Sequence, residues 1–265
     1  MAFTVNQGAK IYWDEVGQGT AVLLITGLGF PSGAWHRTRP VLSKKYRTIV
    51  LDNRGVGRSD KPAGPYSIAL MASDAAAVLD AAGVESAHVF GISMGGMITQ
   101  ELALQYPKRV RSLILGCTAA GGPQAVRSEP EATQMLMARS NMAPEEAARA
   151  ALPFIYHPAT PRELIEEDLE IRRPWFPSQE AYKAQLQGIL AWESCSRLSQ
   201  IHSPTLVIHG ECDRLVPAGN GKLIAEKIPG AKLVVLPHAS HIFTTDQPEE
   251  AHRAILEFLA SQPTA

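Results

Sequence analysis

Cysteine is scarce in this 265-residue sequence. The three cysteines, Cys117, Cys195 and Cys212, are odd in number and lack the C-x-x-C spacing of redox and zinc motifs. Such a set argues against a disulfide framework and against a zinc site, and it is typical of proteins in a reducing compartment. We therefore expect a cytoplasmic protein with no metal ion.

The sequence also lacks an excess of positive or negative charge, and it lacks long apolar runs. Lys and Arg total 25 against 26 Asp and Glu, so the net charge is -1 and there is no basic footprint for nucleic acid or an anionic membrane. Apolar runs such as 21–25 are far too short to cross a bilayer, and the first residues show neither a charged leader nor a long apolar segment. We expect a small-molecule partner, no nucleic-acid or membrane partner and no secretory signal; a homo-oligomer remains open.

The sequence does contain a regular alternation of short apolar runs and helical patterns. The runs predict eight strands, at 3–5, 10–16, 21–25, 47–51, 87–91, 110–116, 205–210 and 232–236. Helical patterns fall at 34–43, 67–82, 94–104, 219–228 and 248–260. Strands rich in Val, Ile and Leu that alternate with helices predict an α/β fold, with a mostly parallel eight-stranded sheet and helices on both faces. The first two strands predict an antiparallel hairpin at one edge.

The alternation stops between residues 123 and 199. Four helical patches occur here, at 131–139, 144–152, 161–172 and 179–192, and prolines separate them. We interpret this segment as an inserted helical cap. The predicted domains are a first part of the core at 1–122, the cap at 123–199 and a second part of the core at 200–265.

The run Gly91-Ile92-Ser93-Met94-Gly95 stands where a predicted strand meets a predicted helix. A sharp strand-to-helix turn leaves no room for side chains on either side of its apex, which explains both glycines. The turn would hold the serine hydroxyl clear of the sheet, at the positive end of the next helix, where a developing oxyanion is stabilised. We predict that Ser93 is a nucleophile and that the amide of Met94 is an oxyanion donor.

A serine hydroxyl needs a histidine base, and the histidine needs a carboxylate that orients it. Both should follow strands, because the carboxyl ends of parallel strands meet at one edge of the sheet. His241 lies in the loop after the last predicted strand, and its close rival His238 follows the strand too directly to reach far. Asp213 lies in the irregular turn after the preceding strand, with Glu211 nearer the strand end. We predict a triad of Ser93, Asp213 and His241.

The triad follows the chain order Ser93, Asp213, His241. The motifs are Gly91-Ile92-Ser93-Met94-Gly95-Gly96, Asp52-Asn53-Arg54-Gly55-Val56-Gly57-Arg58-Ser59-Asp60, Gly210-Glu211-Cys212-Asp213-Arg214-Leu215-Val216-Pro217 and Ala239-Ser240-His241. With them, the sequence resembles the α/β-hydrolase fold family over nearly its whole length apart from the cap, and its core is similar to the 3-oxoadipate enol-lactonases.

The resemblance implies that the amide of Leu28, in the loop after the third strand, is the second oxyanion donor. Many relatives carry histidine where Thr26 stands, so we expect the Thr26 hydroxyl to brace this loop instead. The loop at 52–60, with Arg54, is expected to support the site without taking part in the chemistry.

Aromatic side chains gather in the predicted cap, and some should line an apolar pocket above the serine. The side chains predicted for this pocket are Phe30, Trp35, Phe154, Trp175 and Trp192. Arg172 and Arg173 would suit a substrate carboxylate, but we prefer to interpret them as a solvated helix end.

These features predict a cofactor-free serine hydrolase that cleaves carboxylic esters or lactones of small, largely apolar substrates. Carbon–carbon bond hydrolases of ring-cleavage products and cofactor-free haloperoxidases or perhydrolases use the same triad, so both remain alternatives. A ligand receptor with slow turnover is the non-enzyme alternative. A haloalkane dehalogenase is disfavoured because it would carry aspartate in place of Ser93.

Overall fold

A computed structural model describes residues 1–263 of the chain. Its strands are β1 (Ala2–Asn6), β2 (Ala9–Val16), β3 (Ala21–Ile25), β4 (Arg47–Leu51), β5 (Ala87–Ile92), β6 (Val110–Gly116), β7 (Thr205–Gly210) and β8 (Lys232–Leu236). They form one sheet of eight strands in the order β1-β2-β4-β3-β5-β6-β7-β8. β1 pairs with β2 and β2 pairs with β4 in antiparallel orientation, and the other five pairs are parallel. The predicted mostly parallel sheet with an antiparallel hairpin at one edge is confirmed.

The apolar core lies on both faces of the sheet, because successive strand residues point to opposite sides. In β3, Leu23 and Ile25 pack into one apolar cluster, whereas Val22 and Leu24 pack into the other. The edge strand β1 instead alternates half-buried with exposed residues. A central position with both faces covered therefore explains why β3 is apolar throughout.

Helices cover both faces of the sheet. Those in residues 1–263 are α1 (Arg39–Leu42), α2 (Ile68–Ala81), α3 (Met94–Gln105), α4 (Pro130–Ala138), α5 (Pro144–Ile155), α6 (Arg162–Arg172), α7 (Gln179–Leu190), α8 (Gly219–Lys227), α9 (Phe243–Asp246) and α10 (Pro248–Ala260). The predicted helix at 67–82 is confirmed as α2: the Ser67 hydroxyl accepts the amide of Leu70 at 3.0 Å, and Gly83 follows its end with φ of +65°. In this part of the chain, no helix is both long and apolar enough to cross a membrane.

The predicted helix at 34–43 is wrong. The chain forms a 3-10 turn at Ser32–Trp35 and then the four-residue α1. Pro40 has no N–H to donate to the carbonyl of His36, so an α-helix cannot run unbroken through this segment.

The segment between β6 and β7, which the structure describes in full, contains α4 to α7 and no strand. We call residues 123–199 the helical insertion. Its helices agree with the predicted patches, except that α5 continues through Pro153 to Ile155. Pro153 has no N–H to donate to the carbonyl of Arg149, but the turn closes beyond it, because the amide of Tyr156 donates to Leu152 at 3.2 Å. The domain boundaries at 122/123 and 199/200 stay predictions.

Candidate active site

Ser93 lies at the sharp turn between β5 and α3. Its backbone has φ of +59° and ψ of −122°, a region that L side chains rarely adopt. A side chain at Gly91 would overlap the carbonyl of Gly95, and one at Gly95 would overlap the carbonyl of Ile25. The two glycines therefore let the chain turn where the sequence predicted an elbow, and the strained residue at the apex is the candidate nucleophile.

Hydrogen bonds fix the backbone of this turn. The amide of Ser93 donates to Gly116 at 2.9 Å, and the Thr118 hydroxyl donates to the carbonyl of Ser93 at 2.7 Å. The amides of Gly96 and Met97 in α3 also donate to this carbonyl, at 2.9 and 3.2 Å. Both backbone polar groups of Ser93 are thus satisfied by protein atoms, and the residue lines the cavity described below.

His241 and Asp213 form a buried pair. The Nδ1–H of His241 donates to Oδ2 of Asp213 at 2.7 Å, while Oδ1 accepts the amides of Leu215 at 2.9 Å and Val216 at 2.8 Å. Burial alone would raise the pKa of Asp213, but the charge and hydrogen bond of His241, with the nearby His209, lower this pKa to about 2. Asp213 is therefore ionised at neutral pH and fixes the orientation of the imidazole.

A cavity of about 660 Å³ opens above the elbow. Ser93 and His241 both line it, as do Leu28 and Met94. Most of its wall is apolar: the core contributes Phe30, Ile92, Met97, Leu215 and Ile242, and the insertion contributes Leu136, Ile155 and Ile189. The residues predicted for the triad and the oxyanion hole are thus gathered at one place, with Asp213 directly behind His241.

The loop after β3 runs against the nucleophile. A Cβ atom on Gly27 would lie 3.0 Å from Cβ and 3.4 Å from Oγ of Ser93. Within residues 1–263, neither the amide of Leu28, in this loop, nor the amide of Met94, the first residue of α3, donates to a backbone carbonyl of a turn or loop. Both amides are thus available to an oxyanion beside Ser93.

Two polar side chains brace this loop. The Thr26 hydroxyl donates to the carbonyl of Phe30 at 2.7 Å, so the expected brace is present. Gln185 of α7, fully buried, accepts the amide of Gly29 at 2.9 Å and donates to the carbonyl of Arg54 at 2.8 Å. Sequence reasoning missed Gln185, because nothing in an ordinary helical glutamine indicates a contact with a loop more than 150 residues away.

Arg54 is buried and holds Asp74 with two hydrogen bonds of 2.6 Å. A bidentate pair of this kind locks the loop that carries Arg54 onto α2. The arrangement supports the prediction that the 52–60 loop is structural.

Of the five side chains predicted for the pocket, Phe30 lines the cavity and the other four do not. Trp35 packs instead in the same apolar cluster as Val22 and Leu24, 4.9 Å from Phe90 between ring centroids. Trp192 turns away because its indole N–H donates to the carboxylate of Glu101 at 2.7 Å.

The remaining two aromatic rings are covered by arginines instead of facing the cavity. The guanidinium of Arg214 lies 4.8 Å from the ring of Phe154, and that of Arg58 lies 4.0 Å from the ring of Trp175. Cation–π contacts of this kind join residues far apart in the chain, so the sequence pattern could not reveal them.

The rivals of the predicted triad residues lie apart from it. His238 is exposed and faces His157, with ring centroids 5.9 Å apart, and Glu211 is also exposed. A second imidazole was missed: Nε2 of His209 lies 3.5 Å from Oδ2 of Asp213 and donates to the carbonyl of Val216 at 2.7 Å. Its position at the end of β7, four residues before Asp213, was the available signal.

In residues 1–263, Cys117, His209 and Asp213 are the one group of potential metal ligands, with donor atoms within 4.8 Å of one another. Burial raises the pKa of the Cys117 thiol, so the sulfur stays protonated and is a poor ligand. Both carboxylate oxygens of Asp213 already accept hydrogen bonds. The group therefore fits a buried hydrogen-bond network better than a metal site.

The chain matches the family model described as alpha/beta hydrolase fold over residues 20–248. A relative from Azorhizobium caulinodans carries the provisional name carbamate hydrolase RutD. It is 35% identical over 261 residues, and the alignment covers 97% of this chain and 98% of the relative.

Solved structures show the same architecture. The enol-lactonase from Burkholderia xenovorans LB400 has a TM-score of 0.89 and 25% identity, with 98% of this chain and 100% of that chain covered. Est816, described as an N-acyl homoserine lactone degrading enzyme, has a TM-score of 0.84 and 31% identity, with 97% and 100% covered.

Proposed function

Because the chain belongs to the alpha/beta hydrolase fold family, we propose that it is a serine hydrolase of carboxylic esters or lactones. One observation carries the proposal. The His241–Asp213 pair, with its 2.7 Å hydrogen bond, opens onto the same cavity as the strained Ser93 at the elbow. A nucleophile, a base and an ionised orienting group in this order constitute the machinery of acyl transfer.

In the proposed mechanism, Ser93 attacks the substrate carbonyl while Nε2 of His241 takes the hydroxyl proton. Asp213 stabilises the resulting imidazolium, and the amides of Leu28 and Met94 donate to the oxyanion. His241 then protonates the leaving alcohol, and water releases the acyl group from Ser93 by the same steps. The residues of the helical insertion that line the cavity would act as its cap.

The cavity favours a substrate with a sizeable apolar group. Walls such as Phe30, Leu136 and Ile155 stabilise acyl or alcohol chains that leave water for an apolar surface. Carbamate, the substrate class in the name of the Azorhizobium relative, is far smaller than about 660 Å³ and has no apolar surface. The lactone-cleaving enzymes with similar structures agree better with this cavity.

Replacement of the proposed nucleophile and base tests the assignment. Ser93→Ala and His241→Ala should each lower kcat for p-nitrophenyl butyrate by roughly 10⁴-fold or more while the far-UV circular dichroism stays unchanged. His238→Ala, an exposed histidine three positions from His241, is the matched control and should keep wild-type activity. Turnover retained by Ser93→Ala would refute the proposed nucleophile.

A substrate panel separates the alternatives that share this triad. The panel contains esters, lactones, carbamate, a carbon–carbon ring-cleavage product and a peroxide-dependent halogenation assay. We expect the highest kcat/KM for an apolar ester or lactone. A receptor with slow turnover would label at Ser93 with a fluorophosphonate yet barely hydrolyse any of them.

A further inference from the structure

Two arginines of the helical insertion are buried without an acidic partner. Arg139, in the turn after α4, is 9% exposed, and Arg172, the last residue of α6, is 4% exposed. The solvated helix end expected from the sequence is therefore wrong for Arg172, and only Arg173 fits it, paired at the surface with Glu145 and Glu170. Buried guanidinium groups are normally paired with carboxylates, because the charge otherwise loses its hydration without compensation.

Each guanidinium keeps a donor that no protein atom accepts. Within residues 1–263, Nε of Arg139 and Nη2 of Arg172 are buried and have no hydrogen-bond partner. Nε of Arg172 donates only to the main-chain carbonyl of Asp168, at 2.9 Å. The carboxylate of Asp168 is already held by Arg37, Tyr156 and Thr245.

Aromatic rings are the other neighbours of the two guanidiniums. Arg139 lies 4.7 Å from the ring centroid of Tyr182, and Arg172 lies 4.2 Å from that of Phe30. The rings attract the cations, and the one oxygen that they carry, the Tyr182 hydroxyl, donates to the carbonyl of Leu136 at 3.0 Å. Burial lowers the pKa of Arg139; the Tyr182 hydroxyl opposes this shift, and the charge of Arg172 adds to it.

Both side chains line a small chamber beside the main cavity. Its volume is about 20 Å³, enough for a group slightly larger than a water molecule, and its wall contains no Asp or Glu. Phe30 and Arg139 line both spaces, so the chamber adjoins the cavity that contains Ser93. The wall of this chamber thus carries two guanidinium groups and no carboxylate, a setting that matches a bound carboxylate group.

We propose that this chamber is an anion site in which Arg139 and Arg172 together bind a carboxylate. The carboxylate comes either from the far end of a substrate or from a small free acid such as acetate. The substrate source rests on the hydrolase function proposed above, whereas binding of free acetate does not.

Acetate and its neutral isostere acetamide test the site without any turnover. At constant ionic strength, acetate should raise the Tm of the Ser93→Ala protein by several degrees more than acetamide. Arg139→Gln and Arg172→Gln should each lose this difference. Arg173→Gln, at the exposed neighbour, is the matched control and should keep it. Equal shifts with acetate and acetamide in the Ser93→Ala protein would overturn the site, and this comparison needs no arginine variant to fold.

Two aryl esters with acyl chains of equal length, one ending in methyl and one in carboxylate, identify the source of the anion. If the substrate supplies it, Arg139→Gln and Arg172→Gln should lower kcat/KM at least tenfold for the carboxylate ester and less than twofold for the methyl ester. An acetate-specific Tm shift with unchanged ester selectivity would support the site and assign it to a free anion. Hydrolysis of neither ester by the wild type would contradict the proposed function, while the acetate comparison would still decide the chamber.

Discussion

Asp213 sets the orientation of His241 through one hydrogen bond and is itself fixed by two amides. Asp213→Asn should lower kcat by roughly 10⁴-fold, because an amide cannot stabilise the imidazolium and favours the wrong tautomer. Since the pKa of Asp213 is about 2, the titration of this group should not shape the pH profile of kcat/KM above about pH 4.

Steady-state kinetics from pH 4 upward check this prediction. Glu211→Gln, an exposed carboxylate in the same loop, is the matched control and should leave kcat unchanged. An Asp213→Asn enzyme as active as this control would show that another group orients His241.

His88 should make the fold sensitive to acid. It is buried in β5, where Nδ1 lies 2.8 Å from the hydroxyl of Ser112, and burial lowers its pKa from 6.5 to about 4. The unfolded chain therefore takes up the proton first, so the stabilising effect is complete above pH 6.5 and is lost as the pH falls toward 4. Between pH 7 and pH 5, the wild type should lose about 2 kcal/mol more free energy of unfolding than His88→Gln.

Urea denaturation at the two pH values measures this difference. His202→Gln replaces an exposed histidine and should retain the pH dependence of the wild type. The same acid sensitivity in His88→Gln would assign the effect to other groups.

At the residue scale, the sequence predicted what depends on position along a strand and missed what depends on side-chain partners. Asp213 and His241 follow the ends of β7 and β8, so the topology alone brings them to the edge of the sheet that carries Ser93. The rings of Phe154 and Trp175 are withdrawn from the cavity by arginines that no local pattern connects to them.

At the scale of elements, one side chain connects α7 to the loop after β3. Within residues 1–263, Gln185 is the only residue of α7 whose side chain forms a hydrogen bond with this loop. Gln185→Met should leave the amide of Gly29 and the carbonyl of Arg54 buried and unsatisfied, which costs about 1–3 kcal/mol for each group. The freed loop should also misplace the amide of Leu28, so kcat should fall roughly tenfold or more, with a smaller change in KM.

Stopped-flow or steady-state assays and a thermal melt test this coupling. Gln187→Met changes an exposed glutamine on the same helix and serves as the control. A kcat for Gln185→Met equal to that of the control would mean that the loop holds its shape without α7.

The elements themselves were largely predictable. β3, β4, β6, β7 and α10 have the bounds that their patterns indicate, because buried strands are largely apolar and terminal helices are amphipathic. The bounds of β8 also agree, although it is a largely exposed edge strand. The segment around α1 was not, since Pro40 divides what periodicity treats as one helix. The walls of the cavity depend on how α4, α5 and α7 pack, which sequence periodicity does not specify.

At the scale of the whole molecule, the size of the cavity should set the preference for acyl chains. With p-nitrophenyl esters from acetate to octanoate, kcat/KM should rise about fourfold for each added methylene until the apolar walls are filled, since each buried CH₂ contributes about 0.8 kcal/mol. Initial rates below KM across the series give this profile. A maximum of kcat/KM at the acetate ester would contradict an apolar acyl site. Leu136→Ala shortens a side chain that lines the cavity and should therefore move the optimum to longer acyl chains.

The chain that enters the helical insertion lies beside the chain near its end, because Gly121 forms a bridge with Glu193 and the amide of Ser194 donates to the carbonyl of Ala120 at 2.7 Å. A segment whose two ends adjoin can change in length without moving the strands that carry it. Exchanging this segment would therefore rebuild part of the cavity wall and the Gln185 contact to the loop after β3, while Ser93, Asp213 and His241 keep their places beside the sheet.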